Sequence, residues 1–350
     1  MSWFINDLIP IILENDDHWW TLDLLRLATV SPAWLGAVRK RLYECPTLST
    51  FTSFRLFARS LKANKHLIAL IRGIDLRPSA RCYATDVDVE EEMASLRYIL
   101  SLGVYRKVVL GGELAVKAER FLHSLAHPES VTELRIDGNT ENGECGYFHR
   151  QRPPSLEWDN VIAFKFSNLR RLKLFNLELD IVYSPVPYEF GLEDLVIDNV
   201  QIIGGYFCHI HQSCLRHIYV TAINSSDIDE HLRLMLDLYG PTIETLHFEI
   251  RRNPRCRVHI FDSDSRPCPS LHQLHLSDVE IDVEMLSAIA QVCPNLEVLI
   301  ITGRSVSVSA DEWRRFIGSG TLPKLRCLVT PDGTRWLPDL EASEIRGVRG

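Results

Sequence analysis

Cysteine and histidine side chains cluster in residues 208–217, a segment of ten residues that contains two cysteines and three histidines. Thiolates and imidazoles are the ligands that zinc prefers, so the segment has the composition of a metal site. Its spacing, however, matches no standard zinc-finger pattern. Leu215 in this segment and Ile218 just after it belong instead to a repeated apolar motif that is set out below. We therefore expect no metal ion there.

Carboxylates form a second cluster. Its members are Asp262, Asp264, Asp278, Glu280, Asp282 and Glu284. The segment lacks the glycine and the closing glutamate of a calcium-binding loop, so solvated loop carboxylates are expected. The chain also contains no phosphate-binding loop, dinucleotide fingerprint or nucleophile elbow. The sequence thus predicts a protein that is not an enzyme and has neither cofactor nor metal. A metal-dependent hydrolase built on the repeats is a third alternative, and no motif in the sequence supports it.

A motif of the form LxxLxL returns six times in the second half of the chain. Its copies are Leu169/Leu172/Leu174, Leu192/Leu195/Ile197, Leu215/Ile218/Val220, Ile243/Leu246/Phe248, Leu271/Leu274/Leu276 and Leu296/Leu299/Ile301. Their second apolar residues, at 172, 195, 218, 246, 274 and 299, are 23, 23, 28, 28 and 25 residues apart. Leucine-rich repeats have periods of about 20 to 29 residues. The last two apolar residues alternate along a short strand and point inward, so each unit needs neighbours to bury its core.

Weaker copies extend the array in both directions. They are Ile71/Ile74/Leu76, Tyr105/Val108/Leu110, Val131/Leu134/Ile136 and Leu325/Leu328/Thr330. Helical patterns at 86–102, 227–239 and 282–292, and an N-cap at Ser309, predict helical segments between the strands. A polar stretch at 138–160 without an apolar period predicts a projecting loop. The sequence thus predicts a solenoid with a parallel sheet on its concave face and helices on its convex side, capped by the tail from residue 331.

Strand positions between the two inward residues must face outward, because side chains alternate along a strand. Across six neighbouring strands these positions, named the central row below, are Lys173, Val196, Tyr219, His247, His275 and Ile300. Flanking outward positions include Asp194, Asp198 and Glu249. Aromatic, apolar and imidazole groups of this kind are common at protein-binding surfaces. We predict that the central row binds an unidentified protein; the alternative is an ordinary solvated sheet.

Composition limits the partners and the compartment. The formal net charge is −8 and the isoelectric point is near 5.9, which argues against nucleic-acid binding because that requires a basic surface. No stretch of about 18 uncharged apolar residues occurs, and Arg26 is the first basic residue, so neither a membrane span nor a signal peptide is expected. The nine cysteines fit reduced, buried thiols, as at Cys82, Cys208, Cys214 and Cys327. We expect a cytoplasmic or nuclear protein.

The first 45 residues follow a different pattern, in which closely spaced apolar residues predict three short helices. Thr21 is a candidate N-cap for the second helix. Ser31 and Pro32 end that helix, because the residue before a proline leaves the helical region and proline suits the first position of the next helix. So small a bundle has more apolar side chains than it can hide from water, which favours a partner surface here.

The order of residues in this region resembles an F-box. The matching segments are residues 8–13 (LIPIIL), 23–34 (DLLRLATVSPAW) and 38–43 (VRKRLY), with the LxxLxxVSxxW core in the second of them. The sequence departs from the family pattern where Ile11 or Ile12 replaces the usual acidic residue after the proline. Together with the repeats, the chain is similar to the F-box and leucine-rich-repeat proteins that are numerous in mushroom-forming (basidiomycete) fungi.

This resemblance implies docking to the Skp1 adaptor, and through it to a cullin, in a ubiquitin ligase whose substrate the repeats would hold. The residues assigned to Skp1 are Leu8, Ile9, Pro10, Ile12, Leu13, Leu24, Leu25, Leu27, Val30 and Trp34. The predicted fold class is α/β, with a short all-helical F-box-like domain at 1–48 and a horseshoe-shaped leucine-rich-repeat solenoid at 49–345. Two alternatives stay open: the ten residues only form the bundle's core, or the chain is a repeat scaffold with a degenerate F-box and no ligase role.

Overall fold

A computed structural model describes residues 3–14, 20–79, 86–103, 105–139, 153–183, 191–207, 214–223, 228–251, 260–261, 264–303, 306–331 and 335–336. The chain divides into two compact units, Met1–Arg152 and Pro153–Gly350. Each unit combines helices with parallel strands, which confirms the mixed α/β class. The division lies inside the predicted loop at 138–160, and the domain boundary after residue 48 stays a prediction.

The first unit places three N-terminal helices before a parallel sheet. Its helices are α1 (Trp3–Glu14), α2 (Thr21–Leu27), α3 (Pro32–Glu44), α4 (Phe51–Ala63), α5 (Asp86–Leu100) and α6 (Glu119–Leu122), with 3-10 helices at Lys65–Leu70, Gly112–Ala115 and Pro128–Ser130. Its strands are β1 (Thr47–Leu48), β2 (Gly73–Leu76), β3 (Lys107–Gly111) and β4 (Glu133–Asp137). They pair in parallel in sequence order, with Ile74, Val108 and Leu134 opposite one another and fully buried. The three weaker motifs upstream are therefore confirmed as strands.

The three N-terminal helices pack around a small apolar core of Ile9, Leu13, Leu24 and Val38. The third helix begins at Pro32, as predicted, whereas the second ends at Leu27, before the Ser-Pro pair; Ser31 Oγ accepts a hydrogen bond from the amide of Trp34 at 3.4 Å. The prediction of Thr21 as an N-cap is wrong by one residue, since Thr21 is already helical and residue 20 holds the cap position. That residue is a tryptophan, whose indole only donates hydrogen bonds and therefore cannot cap the free amides of a helix start.

The sequence patterns described above did not predict two elements next to this bundle, β1 and α4. The strand β1 has only two residues, too few to show a period, and it forms by pairing with β2. Helix α4 does carry a readable signal. Thr50 and Ser53 form a reciprocal capping box, with the Ser53 amide 3.0 Å from Thr50 Oγ1, and the buried residues of the helix are Phe51, Phe54, Ala58 and Leu61. Their spacing of three and four residues is that of an amphipathic helix.

The second unit contains most of the regular repeats. Its helices are α7 (Asn160–Lys165), α8 (Ile228–Tyr239), α9 (Val283–Val292) and α10 (Ala310–Gly318). Its strands are β5 (Ser155–Trp158), β6 (Arg171–Ile181), β7 (Asp194–Gly204), β8 (His217–Ala222), β9 (Thr245–Ile250), β10 (Gln273–Ser277), β11 (Val298–Thr302), β12 (Cys327–Val329) and β13 (Arg335–Trp336). From β6 to β12 each strand pairs in parallel with the next, and β13 is antiparallel to β12.

The register of this sheet aligns the repeats without a shift at their anchors. Leu172, Leu195, Ile218, Leu246, Leu274, Leu299 and Leu328 stand opposite one another on successive strands. Each is at most 1% exposed. The helical predictions are confirmed as well, since α8, α9 and α10 start where expected and the side chains of Asp282 and Ser309 cap α9 and α10. The apolar period therefore predicted these strands, and the helical patterns predicted α8, α9 and α10 between them.

The predicted loop at 138–160 is wrong over its last six residues. Residues 155–158 form β5, which pairs in parallel with the second half of β6, and helix α7 begins at Asn160. Leu156 and Trp158 alternate inward and are 1% exposed. This segment lacks the LxxLxL motif. It pairs with the second half of β6, which continues beyond the motif residues of that strand. Residues 140–152 lie outside the described part of the chain.

The repeats share a backbone turn that directly follows β3, β10 and β11 and lies within the longer strands β6 and β7. The residue two positions after the last apolar residue of the LxxLxL motif has a positive φ at Gly112, Asn176, Asn199, Asp278 and Gly303. Glycine, asparagine and aspartate are the residues that adopt this left-handed conformation most readily. Asn199 Nδ2 donates to Asn176 Oδ1 of the preceding repeat at 2.8 Å. Successive turns are thus in contact, and the residue types at this position reflect that geometry.

The cysteines agree only in part with the prediction of buried thiols. Cys268 and Cys293 are buried, Cys327 is half-buried and Cys214 is exposed; Cys82 and Cys208 lie outside the described residues. Burial raises the pKa of the Cys268 thiol to about 11 and raises the pKa of Cys293 well above its ordinary value. Cys214 corrects the prediction, because it directly precedes the inward Leu215 and therefore sits outside the buried position.

Candidate functional site

The central row is continuous across six strands of the second unit. Lys173, Val196, Tyr219, His247, His275 and Ile300 are register partners from β6 to β11, each next to the one before it in the row. Their side chains are half-buried, except that of Tyr219, which is 40% exposed. Neighbouring strands are about 4.8 Å apart, so these side chains form one contact surface. The predicted juxtaposition is confirmed; a role in binding stays a prediction.

Three rings lie at the centre of this row. The ring centroids of Tyr219 and His247 are 6.1 Å apart with the planes inclined by 30°, and those of His247 and His275 are 4.2 Å apart and nearly perpendicular. His275 Nε2 lies 3.3 Å from Thr302 Oγ1, and His247 Nε2 lies 3.8 Å from a Glu249 oxygen. The three side chains therefore hold one another in place and present an aromatic patch with little charge.

Two groups of charged side chains lie near the patch, one at the start of β6 and β7 and one at the ends of the central row's strands β7 and β9. Toward the start of the strands, Arg171 Nε lies 2.7 Å from Asp194 Oδ2. Toward their end, the Arg251 guanidinium donates two hydrogen bonds to the Asp198 carboxylate at 3.1 and 3.3 Å, and its Nε lies 3.3 Å from Glu249. The carboxylates stand at outward positions that the strand period predicts. Arg251 has no such signal, because it follows the strand and its partner Asp198 is 53 residues earlier.

Burial lowers the pKa of both central histidines. For His247, loss of water is the largest cause, and the nearby Glu249 carboxylate opposes it. For His275, loss of water and the adjacent His247 both lower the pKa, with Glu249 again opposing. Since the ordinary value is 6.5, both imidazoles are uncharged at neutral pH. The patch is therefore neutral under physiological conditions.

This shift predicts a pH dependence of stability. A histidine whose pKa is lower in the folded chain takes up fewer protons there than in the unfolded chain, so stability falls as the pH drops below about 6.5. We expect the urea midpoint to decrease between pH 7.5 and pH 5.5, and to decrease less in the His247→Gln/His275→Gln variant. Equal losses in the two proteins would show that these imidazoles do not titrate as inferred. Circular dichroism at the two pH values measures both midpoints.

The ten residues assigned to an adaptor divide between the core and the surface of the helical bundle. Ile9, Leu13 and Leu24 are buried in its core, and Leu27 and Trp34 pack against that core while partly buried. The exposed members are Leu8, Pro10, Ile12, Leu25 and Val30. Residues 9 and 13 lie one turn apart on the inner side of α1, and residues 8 and 12 lie one turn apart on its outer side. The pattern of apolar residues alone did not distinguish these two sides.

Neither the Cys/His segment at 208–217 nor the carboxylate cluster forms a metal-binding group in the described part of the chain. Within the described ranges, no three His, Cys, Asp or Glu side chains are grouped so that they could hold a metal ion. Residues 208–213, which carry most of the Cys and His cluster, and Asp262 are outside those ranges. In the acidic cluster, Asp282 accepts a hydrogen bond from the Met285 amide at 2.8 Å and so caps α9. That carboxylate has a structural role.

Comparison with known proteins leaves the family unassigned. The sequence matches no protein-family model, and a search of curated proteins finds no significant match. In the described part of the chain, no helix is long and apolar enough to cross a membrane. The chain presents two surfaces that bear on its class: an exposed apolar set on an N-terminal helical bundle, and a row with three aromatic rings at its centre on a parallel sheet of repeated strands.

Proposed function

We propose that this protein is a substrate-recognition adaptor of a Skp1-cullin-F-box ubiquitin ligase. The N-terminal helices would dock to Skp1, the repeats would form a leucine-rich-repeat solenoid that holds the substrate, and the complex would work in the cytoplasm or nucleus. The protein itself would not be an enzyme and would need no cofactor. Ubiquitin transfer would occur on other subunits, at a substrate lysine kept at high local concentration.

The observation that carries this proposal is the exposed apolar surface of the bundle. Leu8, Ile12, Leu25 and Val30 stay accessible although the bundle has its own core of Ile9, Leu13, Leu24 and Val38. Exposed leucine, isoleucine and valine side chains on so small a structure favour burial against a partner. Their positions coincide with the F-box-like segments of the sequence, which supports Skp1 as that partner. The separate central row leaves a second surface for a substrate.

Co-expression with Skp1 from a mushroom-forming fungus tests the docking. The wild-type chain should elute with Skp1 as one complex in size-exclusion chromatography. The Leu25→Asp/Val30→Asp variant should lose about tenfold or more of the recovered Skp1, because both side chains are exposed in the free protein and would be desolvated in the complex. The Glu284→Lys variant, which changes an exposed residue of α9, should keep wild-type recovery. No complex with the folded wild-type chain would refute the adaptor role.

A second candidate is a repeat scaffold with a degenerate F-box and no ligase role. The observation that favours it is the burial of Ile9, Leu13 and Leu24, which removes three assigned residues from any direct contact with Skp1. The same co-expression decides between the candidates. A folded chain that binds its own partners through the central row and never binds Skp1 would be the scaffold.

A further inference from the structure

The carboxylates that flank the central row pair with arginines of the same chain, and Lys173, at the β6 end, is the one charged member of the row. Asp194 is engaged by Arg171, and Asp198 and Glu249 are engaged by Arg251. A bidentate arginine–carboxylate contact, such as that between Arg251 and Asp198, is among the stronger polar contacts at a protein surface. A phosphate group on a ligand would have to displace a carboxylate to reach either arginine. The borders of the row are therefore poorly suited to recognising a charged modification.

We propose that the part of the central row from Val196 to Ile300 recognises an unmodified, uncharged protein segment that carries aliphatic and aromatic side chains. Val196 and Ile300 offer aliphatic contacts, and Tyr219, His247 and His275 offer ring faces and edges between them. Aromatic and apolar groups at the centre of a patch, with polar groups at its rim, are the arrangement found where interfaces bind most strongly. The inference rests on the proposed function only in naming this segment as part of a ubiquitylation substrate.

The dimensions of the surface fit a single segment. The flanking outward positions are four residues apart along each strand, about 13 Å, and the five strands from β7 to β11 span about 19 Å. A helix with its side chains is about 10 to 12 Å wide, so one helix of about three turns fits within this area. An extended segment of about six residues fits the same length. Either would cover the three rings and exclude water from them.

Protonation of the histidines should oppose this binding. Around His247 lie Glu249 from β9 and Arg251 just after that strand, His217 and Tyr219 from β8, and His275 from β10. Because the His247 and His275 rings are 4.2 Å apart, charging both under an apolar ligand would bury two like charges. Binding should therefore weaken as the pH falls, even for a ligand that has no titratable side chain.

Selection from a phage-displayed library of random linear peptides on the immobilised full chain tests the ligand class. We expect the enriched peptides to carry aliphatic and aromatic residues and to be depleted in Asp and Glu. One enriched peptide without acidic residues or histidine is then synthesised with a fluorescent label, in one form with serine and in one with phosphoserine at the same position. Fluorescence anisotropy should show tighter binding of the unmodified form, and weaker binding at pH 5.5 than at pH 7.5.

Variants assign this binding to the row. Tyr219→Ala and His247→Ala should each weaken it by about tenfold, and Glu284→Lys should leave it unchanged. The His247→Gln/His275→Gln variant should lose the pH dependence, which holds even if its affinity is lower. Thermal melts confirm that each variant is folded. Enrichment of acidic peptides, tighter binding of the phosphorylated form, or selection that is the same on Tyr219→Ala as on the wild type would each overturn the inference.

The outcomes separate this inference from the adaptor role. If Skp1 binds the chain and the selected peptides are acidic or ignore the row, the ligand class is wrong and the adaptor role stands. If apolar peptides bind the row and Skp1 does not bind the bundle, the ligand class stands and the adaptor role fails. Skp1 binding is measured on the same full-length preparations, so neither result depends on the other.

Discussion

Replacing Leu274 by alanine should lower the free energy of unfolding by about 2 to 5 kcal/mol. Leu274 is 1% exposed on β10, where it stands between Leu246 of β9 and Leu299 of β11. Removing its side chain leaves a cavity that rigid neighbouring strands cannot fill. Urea unfolding followed by circular dichroism measures the loss. The matched control is Leu238→Ala on α8, whose side chain is 54% exposed and whose loss should change stability by no more than about 0.5 kcal/mol.

The position of the damage tests the repeat architecture of the second unit. In an array that couples only neighbouring repeats, the Leu274→Ala variant should lose hydrogen-exchange protection first in β9, β10 and β11. The more distant β6 and β7 should keep wild-type protection. A uniform loss over all strands of the unit would instead indicate one globally cooperative core, and the array interpretation would then fail.

Replacing Gly303 by alanine should lower the free energy of unfolding by about 2 to 4 kcal/mol. Gly303 has a φ of +103°, and a Cβ there would lie 2.7 Å from the amide nitrogen and 2.8 Å from the Cα of Asp278. Both atoms belong to the backbone of the preceding turn, whose amide donates to the Thr302 carbonyl at 2.9 Å. A side chain would therefore separate two turns that are in contact.

Two other glycines distinguish the cost in stability of backbone strain from the cost of steric overlap. Gly320 also has a positive φ but has open space around its Cβ position, so Gly320→Ala should cost about 1 kcal/mol from strain alone. Gly191 has neither constraint, so Gly191→Ala should change stability by no more than about 0.5 kcal/mol. Urea midpoints for the three variants should follow this order. A Gly303→Ala variant no less stable than Gly320→Ala would show that the turns do not approach as closely as described.

The sequence by itself determined the strands of the repeats and four of the helices between them. Apolar residues at a spacing of two must share one side of a strand, and their return after 23 to 28 residues predicts neighbouring parallel strands in register. Local hydrogen-bonding chemistry determined helix starts such as Asp282 and Ser309, because a side-chain oxygen there accepts from an amide three residues on. The central row followed from the same alternation.

Only the tertiary structure decided which apolar residues of the helical bundle are buried. Leu24 and Leu25 are adjacent and identical in type, yet one enters the core and the other is half exposed, since the choice depends on where α1 and α3 lie. Strand β5 depends in the same way on pairing with β6. The contact of Arg251 with Asp198 joins residues 53 positions apart and has no local signal. Local periodicity determines which elements form, and long-range packing decides which side chains remain available for a partner.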